Sequence, residues 1–118
     1  MTSRRTPRIT AAPIRPGQLD RRITLRTPVF TPGPRGERVV TWQDLATVWA
    51  EVRPLPGTEV LTGAQATTLA DTLFRIRWRT DVSPGMGVGF DGRDYEILAI
   101  TEIGRRQGLV LFATARVL

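Results

Sequence analysis

The chain has no cysteine and no histidine, and those two absences remove much of enzyme chemistry at once. Disulfides, thiolate nucleophiles, imidazole bases and the usual zinc and haem ligands are all excluded. Lysine is missing too, since all 17 basic residues are arginine. Schiff-base chemistry and a phosphate-gripping P-loop lysine go with it, and the codon usage of a GC-rich genome is the plain reason for the bias. Carboxylates, the single Tyr95 and a few hydroxyls remain, with no histidine to activate them. An enzyme is therefore not expected, nor is any cofactor or metal. No apolar run approaches the roughly 20 residues of a membrane span and no signal-peptide pattern is present, so no membrane partner is expected and the product should stay in the cytoplasm.

What is present fits one folded domain. A chain of 118 residues can bury roughly two thirds of the surface its unfolded form exposes. Its 41% apolar and 24% charged residues argue against wholesale disorder. The net charge of +6 is unevenly placed: Arg4, Arg5, Arg8 and Arg15 precede the first acid, Asp20. Residues 1–16 also hold Pro7, Pro13 and Pro16 without sustained periodicity, and they read as a basic extended arm ahead of a domain over 17–118. Such an arm suits docking on an acidic protein patch or contact with DNA, and equally a solvated tail.

The domain reads as strands. Leu19, Arg21, Ile23 and Leu25 alternate with polar neighbours. The turn-rich Thr31–Gly36 then predicts a hairpin into Glu37–Trp42, and Gln43–Ala46 a short connection. In Ala46–Arg53, Val48, Ala50 and Val52 alternate with Trp49, Glu51 and Arg53, a half-buried strand that Pro54 and Pro56 should end by sending the chain out of the sheet. Gly57–Ala70 has no convincing stripe and is expected to be a long loop. Loops of that length in small domains are often functional, which singles out Gly57, Glu59, Val60, Leu61, Gln65, Thr67 and Thr68. Thr72–Arg79 alternates cleanly again. Met86, Val88 and Phe90 share a strand face whose other side, at Gly87 and Gly89, is bare enough for another backbone to approach. Asp91-Gly92 marks a two-residue hairpin, Gly104–Gly108 turns again, and Leu109–Leu118 closes the chain. About seven short strands without a long helix predict an all-β, small antiparallel barrel with one long loop and an extended N-terminal arm, closure being the economical way to remove sheet edges.

Three constellations carry possible chemistry. Asp91, Asp94 and Glu96 lie close together, but turn chemistry explains the first and the spacing lacks a calcium-loop pattern. Gly85-Met86-Gly87-Val88-Gly89 opens a strand where a dinucleotide fingerprint would open a helix. Arg75, Arg77 and Arg79 would project from one strand face about 6 to 7 Å apart. That row suits a solvated face, an acidic partner or a nucleic-acid backbone, although no aromatic residue shares the face for base stacking.

Several segments follow one another in a recognisable order: Gly17, Leu19, Asp20, Arg22 and Ile23; Gly36, Glu37 and Trp42; Val48, Trp49, Ala50, Val52 and Pro54 followed by Gly57 and Glu59; Ile76, Arg77 and Arg79; Gly85-Met86; and Asp91, Gly92, Arg93, Tyr95 and Ile97. In that order they resemble the head-tail joining or head-closure (stopper) proteins of long-tailed bacteriophages and of phage-like gene transfer agents. The resemblance spans about residues 17 to 116, and the arginine-rich extension before Gly17 departs from it. It implies a β-barrel subunit that assembles as a homo-oligomeric ring in the neck of a virion or phage-like particle. A portal-bound adaptor would lie on one side, a tail terminator or other tail protein on the other, with double-stranded DNA passing through the channel. It also implies that the segment matching Gly57–Ala70 faces the channel or the neighbouring ring and helps retain DNA. Two other readings stay open: a basic barrel binding single-stranded nucleic acid through Arg75, Arg77 and Arg79, and another neck component such as an adaptor or tail terminator.

Overall fold

A computed structural model describes residues 13–62 and 66–116, with backbone alone for residues 61, 62, 66 and 67. Within them six strands close an all-antiparallel barrel: β1 (Arg21–Pro32), β2 (Arg38–Thr62), β3 (Ala66–Arg77), β4 (Gly87–Phe90), β5 (Arg93–Ile103) and β6 (Gly108–Ala115). Their order around the barrel is β1-β2-β3-β6-β5-β4, with β4 returning to β1. The expected all-β barrel is therefore present, built from six strands where seven were predicted.

The difference lies in β2. The expected connection at Gln43–Ala46 is strand, and the chain continues without leaving the sheet. Ala46 pairs with Leu25 and Asp44 with Arg26, so Leu45 is the extra residue of a β-bulge, which bends a strand without ending it. Pro54 and Pro56 do not end it either. Pro54 faces Thr72 and Thr58 faces Ala70, so residues 55–57 stand opposite Asp71 alone. The prolines thus sit at a bulge, and on the side of β2 that lost its β1 partner after the Arg21–Ala50 pair. Both are places where a missing N–H costs no ladder bond. Gly57, at φ 74°, supplies the left-handed conformation there.

Ala50 is the hinge of the sheet. It pairs with Arg21 of β1 on one side and Ile76 of β3 on the other, and it is fully buried. On either side of it β2 keeps only one partner, which is how a 25-residue strand serves two hairpins.

The barrel interior holds Ile23, Leu25, Phe74, Ile76, Val88, Ile97 and Leu111. Phe74 meets the Tyr95 ring edge-on at 5.3 Å and Phe90 at 6.1 Å, a geometry that aromatic quadrupoles favour. A smaller cluster lies outside the wall, where Leu73, Ile103 and Val110 are covered by Ile14, Leu55 and Phe112. The bulge aims Leu55 at this cluster, and Ile14 brings the end of the N-terminal segment onto it. A Cβ at Gly108 would meet Ile14 Cδ1 at 2.5 Å and the Ile76 carbonyl at 2.7 Å, so only glycine lets that segment seat.

The turn at Asp91-Gly92 is as the sequence predicts, with both residues at positive φ, 54° and 75°. The bare glycine face of β4 is covered mainly by side chains, with the Tyr95 carbonyl also 3.5 Å from a Cβ built at Gly87. The Trp42 ring lies 3.4 Å from a Cβ built at Gly87, and the Arg26 guanidinium 2.7 Å from one at Gly89. Arg26 donates to Asp44 at 3.0 Å and to Asp94 at 2.7 Å, so Arg26, with one member of the suspected acidic set as a partner, ties β1, β2 and β5 together.

Candidate assembly surface

Two ribbons leave the closed barrel. β4 pairs with β1 only over Thr24–Arg26, so Thr27–Pro32 and Arg38–Gln43 continue as a two-stranded hairpin. β6 pairs with β3 only from Thr72 onward, so Thr58–Thr62 and Ala66–Ala70 form a second. Within the expected loop Gly57–Ala70, residues 57–62 and 66–70 are therefore extensions of β2 and β3, while residues 63–65 lie outside the described residues. Two-residue periodicity was diluted there by threonine and alanine, and the pairing partner lies on the same segment.

Isolated two-stranded ribbons are marginal in water, and these carry uncovered apolar groups. Phe30 is 55% exposed and Val40, its cross-strand partner, 44%. Arg38 stacks over Phe30 at 4.2 Å, leaving one cation beside an apolar tip. On the second ribbon Leu69 is 55% exposed opposite the exposed Glu59. Val60 is half-buried and pairs with Thr68. Leu61 pairs with Thr67 at the backbone, and Gln65 lies outside the described residues.

The arginine row does not form. Arg75 is fully buried and its Nη1 donates to Glu51 Oε1 at 2.7 Å. Glu51 also accepts from Arg53 Nε at 2.9 Å. Alternation predicted an exposed face, but both faces of β3 are covered here, one by the barrel core and the other by the outer cluster. Arg77 is exposed at the strand end. Arg79 lies beyond it, donating to both oxygens of Asp81 at 2.9 and 2.8 Å. Those hydrogen bonds hold Asp81 below the usual carboxylate range and raise Arg79, with burial opposing both shifts.

Sequence reasoning missed a groove beside Arg77. Arg15, Gly17, Leu19, Val48, Trp49, Arg77, Trp78 and Arg79 line about 420 Å³. Trp49 is half exposed there, while Val48, Ala50 and Val52 supply the core contacts of that strand. Arg22 lies over Trp49 at 4.8 Å and Arg106 over Trp78 at 5.1 Å. Arg22 and Trp49 are register partners, a signal invisible until the pairing is known. Of the arm's arginines, Arg15 is exposed at this groove, while Arg4, Arg5 and Arg8 lie outside the described residues.

A sequence pattern described as phage head completion protein matches residues 14–116. Among solved structures, a chain of the native gene transfer agent virion superposes with a TM-score of 0.60 at 27% identity, over 88% of this chain and 100% of that one. The solution structure of a Shigella flexneri 2a protein gives a TM-score of 0.67 at 23% identity, over 86% of this chain and 96% of the other, a likeness of fold. No curated protein sequence matches.

Proposed function

The chain belongs to the phage head completion protein family, and from that premise we propose that it is the ring-forming stopper of a phage-like neck. It is a structural protein of a phage-type head. In the proposed role, copies assemble as a ring, close the DNA channel after packaging, and offer the surface on which the tail attaches. An adaptor on the portal would meet one side and a tail terminator the other. The subunit would do this without catalysis, meeting double-stranded DNA through backbone charge alone.

The observation that carries this reading is the pair of uncovered ribbons. A barrel that has removed its own edges nevertheless projects two hairpins that leave Phe30, Val40 and Leu69 exposed along their length. Neighbouring subunits and rings would cover them. The stretch 57–70 that holds the second ribbon, with Gly57, Glu59, Val60, Leu61, Gln65, Thr67 and Thr68 in its sequence, is the segment we assign to the channel or the adjoining ring. The competing picture of a single-strand binder is disfavoured, because its proposed contact row loses Arg75 to the protein interior.

Replacing Glu59–Leu69 with a two-residue Asn-Gly turn tests the assignment. Thr58 and Ala70 face each other directly, so the shortened hairpin retains its register. The variant should fold, as judged by circular dichroism, yet yield particles that lose DNA or fail to join tails. An unchanged yield of infectious or transducing particles would sink the assignment.

A further inference from the structure

We propose that the groove between the N-terminal segment, the middle of β2 and the end of β3 is a docking site for an acidic, apolar-tipped segment of a partner protein. Its walls and floor are of two kinds. Leu19, Val48, Trp49 and Trp78 give an apolar bed, while Arg15, Arg77 and Arg79 bring cations to the same 420 Å³. Neither Arg15 nor Arg77 has an ion-pair partner among the described residues. Two exposed guanidinium groups therefore flank an apolar bed, and no acid lines it. A chain segment with a large apolar side chain between carboxylates complements both features, and arginine forks bind carboxylates in a bidentate way.

The same geometry argues against a nucleic-acid strand. A phosphate track needs cations in series, but Arg75 is buried on Glu51 and Arg79 is bonded to Asp81, which breaks the series on both sides of Arg77. Stacking platforms present open ring faces, whereas Trp49 and Trp78 each already carry an arginine on one face.

Ile14 explains why the groove exists at all. Seated over Gly108, it holds the segment that follows against the wall, and the short contact from the Arg15 N–H to Gln18 Oε1, 2.6 Å, turns the chain toward Leu19. The groove is thus built from both the arm root and the barrel. The inference relies on the assembly reading only for the kind of partner; the site rests on the groove itself.

The test uses the full chain and a dye-labelled peptide, acetyl-Glu-Asp-Leu-Phe-Glu-Asp-amide, followed by fluorescence anisotropy. Saturable binding is expected. Arg77→Glu and, separately, Arg15→Glu should each weaken it by about tenfold, and a peptide with serine in place of leucine and phenylalanine should bind more weakly. Arg35→Glu, in the distant β1–β2 turn, should leave it unchanged. Both groove residues are exposed, and a thermal melt confirms that each variant folds. Absence of saturable binding, or binding indifferent to both groove substitutions, overturns the proposal. So does tighter, Arg77-dependent binding of an oligothymidylate that displaces the peptide, which reassigns the groove to nucleic acid. The hairpin-shortened variant should still bind the peptide, so failure of this site and failure of the neck reading are separately visible.

Discussion

The closed barrel and the two ribbons that project from it obey different rules. In the barrel the strands close into one ring around a sealed interior, so side-chain shape decides stability. In the ribbons each strand has one partner and apolar side chains left exposed, so the same residue types contribute little until something covers them. In the proposed role, function would be drawn from the second region and made possible by the first, since a ribbon can be spared for contacts if the barrel folds without it.

The sharpest way to break that contrast is to remove one aromatic from each region. Phe74→Ala empties the centre of the aromatic cluster and should cost about 3 to 5 kcal/mol of unfolding free energy, measured by denaturant titration. Phe30→Ala on the ribbon should cost less than about 1 kcal/mol, as an exposed substitution does, while lowering particle assembly. Comparable losses at both sites would mean that the ribbon belongs to the core.

A second contrast lies within the wall. Glu51→Ala leaves Arg75 fully buried without its carboxylate, an error that typically costs about 3 kcal/mol or more. Replacing both residues with leucine and methionine should recover most of that loss, because a well-packed apolar pair avoids burying charge at all. If Glu51→Ala melts like the parent, the buried pair is better hydrated than its geometry implies. Gly108→Ala should fall next, at about 1 to 3 kcal/mol for overpacking against a backbone carbonyl. It should also unseat Ile14, visible as faster proteolysis of the N-terminal segment.

These contrasts explain what could be read without coordinates. The alternation in Phe74, Ile76 and Trp78 and the positive-φ demand at Asp91-Gly92 are local signals, and both led to the right elements. Glycine, proline and a short polar run also look like local signals, but at Leu45 and at Pro54–Gly57 they mark bulges inside one strand. Whether a bulge or a turn follows depends on which neighbour is paired across the sheet, information the local sequence does not hold. The same limit hid the groove. Arg22 and Trp49, or Glu51 and Arg75, lie 27 and 24 residues apart in sequence and meet only through register. For Arg75 the period of two holds, but it does not entail a wet face. The outer cluster under Leu55 and Ile14 removes that water.

The smallest effect lies where barrel and groove meet. Asp81 is held below its ordinary value of 3.8, first by the hydrogen bonds from Arg79, with partial burial acting the other way. A carboxyl that gives up its proton more readily in the folded chain adds stability above the unfolded pKa. That contribution disappears as pH falls through the lower, folded value. The pair is exposed, its side chains 30% and 42% accessible, so it is worth no more than about 0.5 kcal/mol. Asp81→Asn should therefore flatten the melting profile only slightly below about pH 4. Binding should respond in the opposite sense. Freed from its carboxylate, Arg79 becomes a third unpaired cation in the groove, and the acidic peptide should bind about two- to threefold more tightly, with a steeper salt dependence. A substitution that slightly weakens the fold while strengthening a contact would mark the boundary between the two regions at the end of β3.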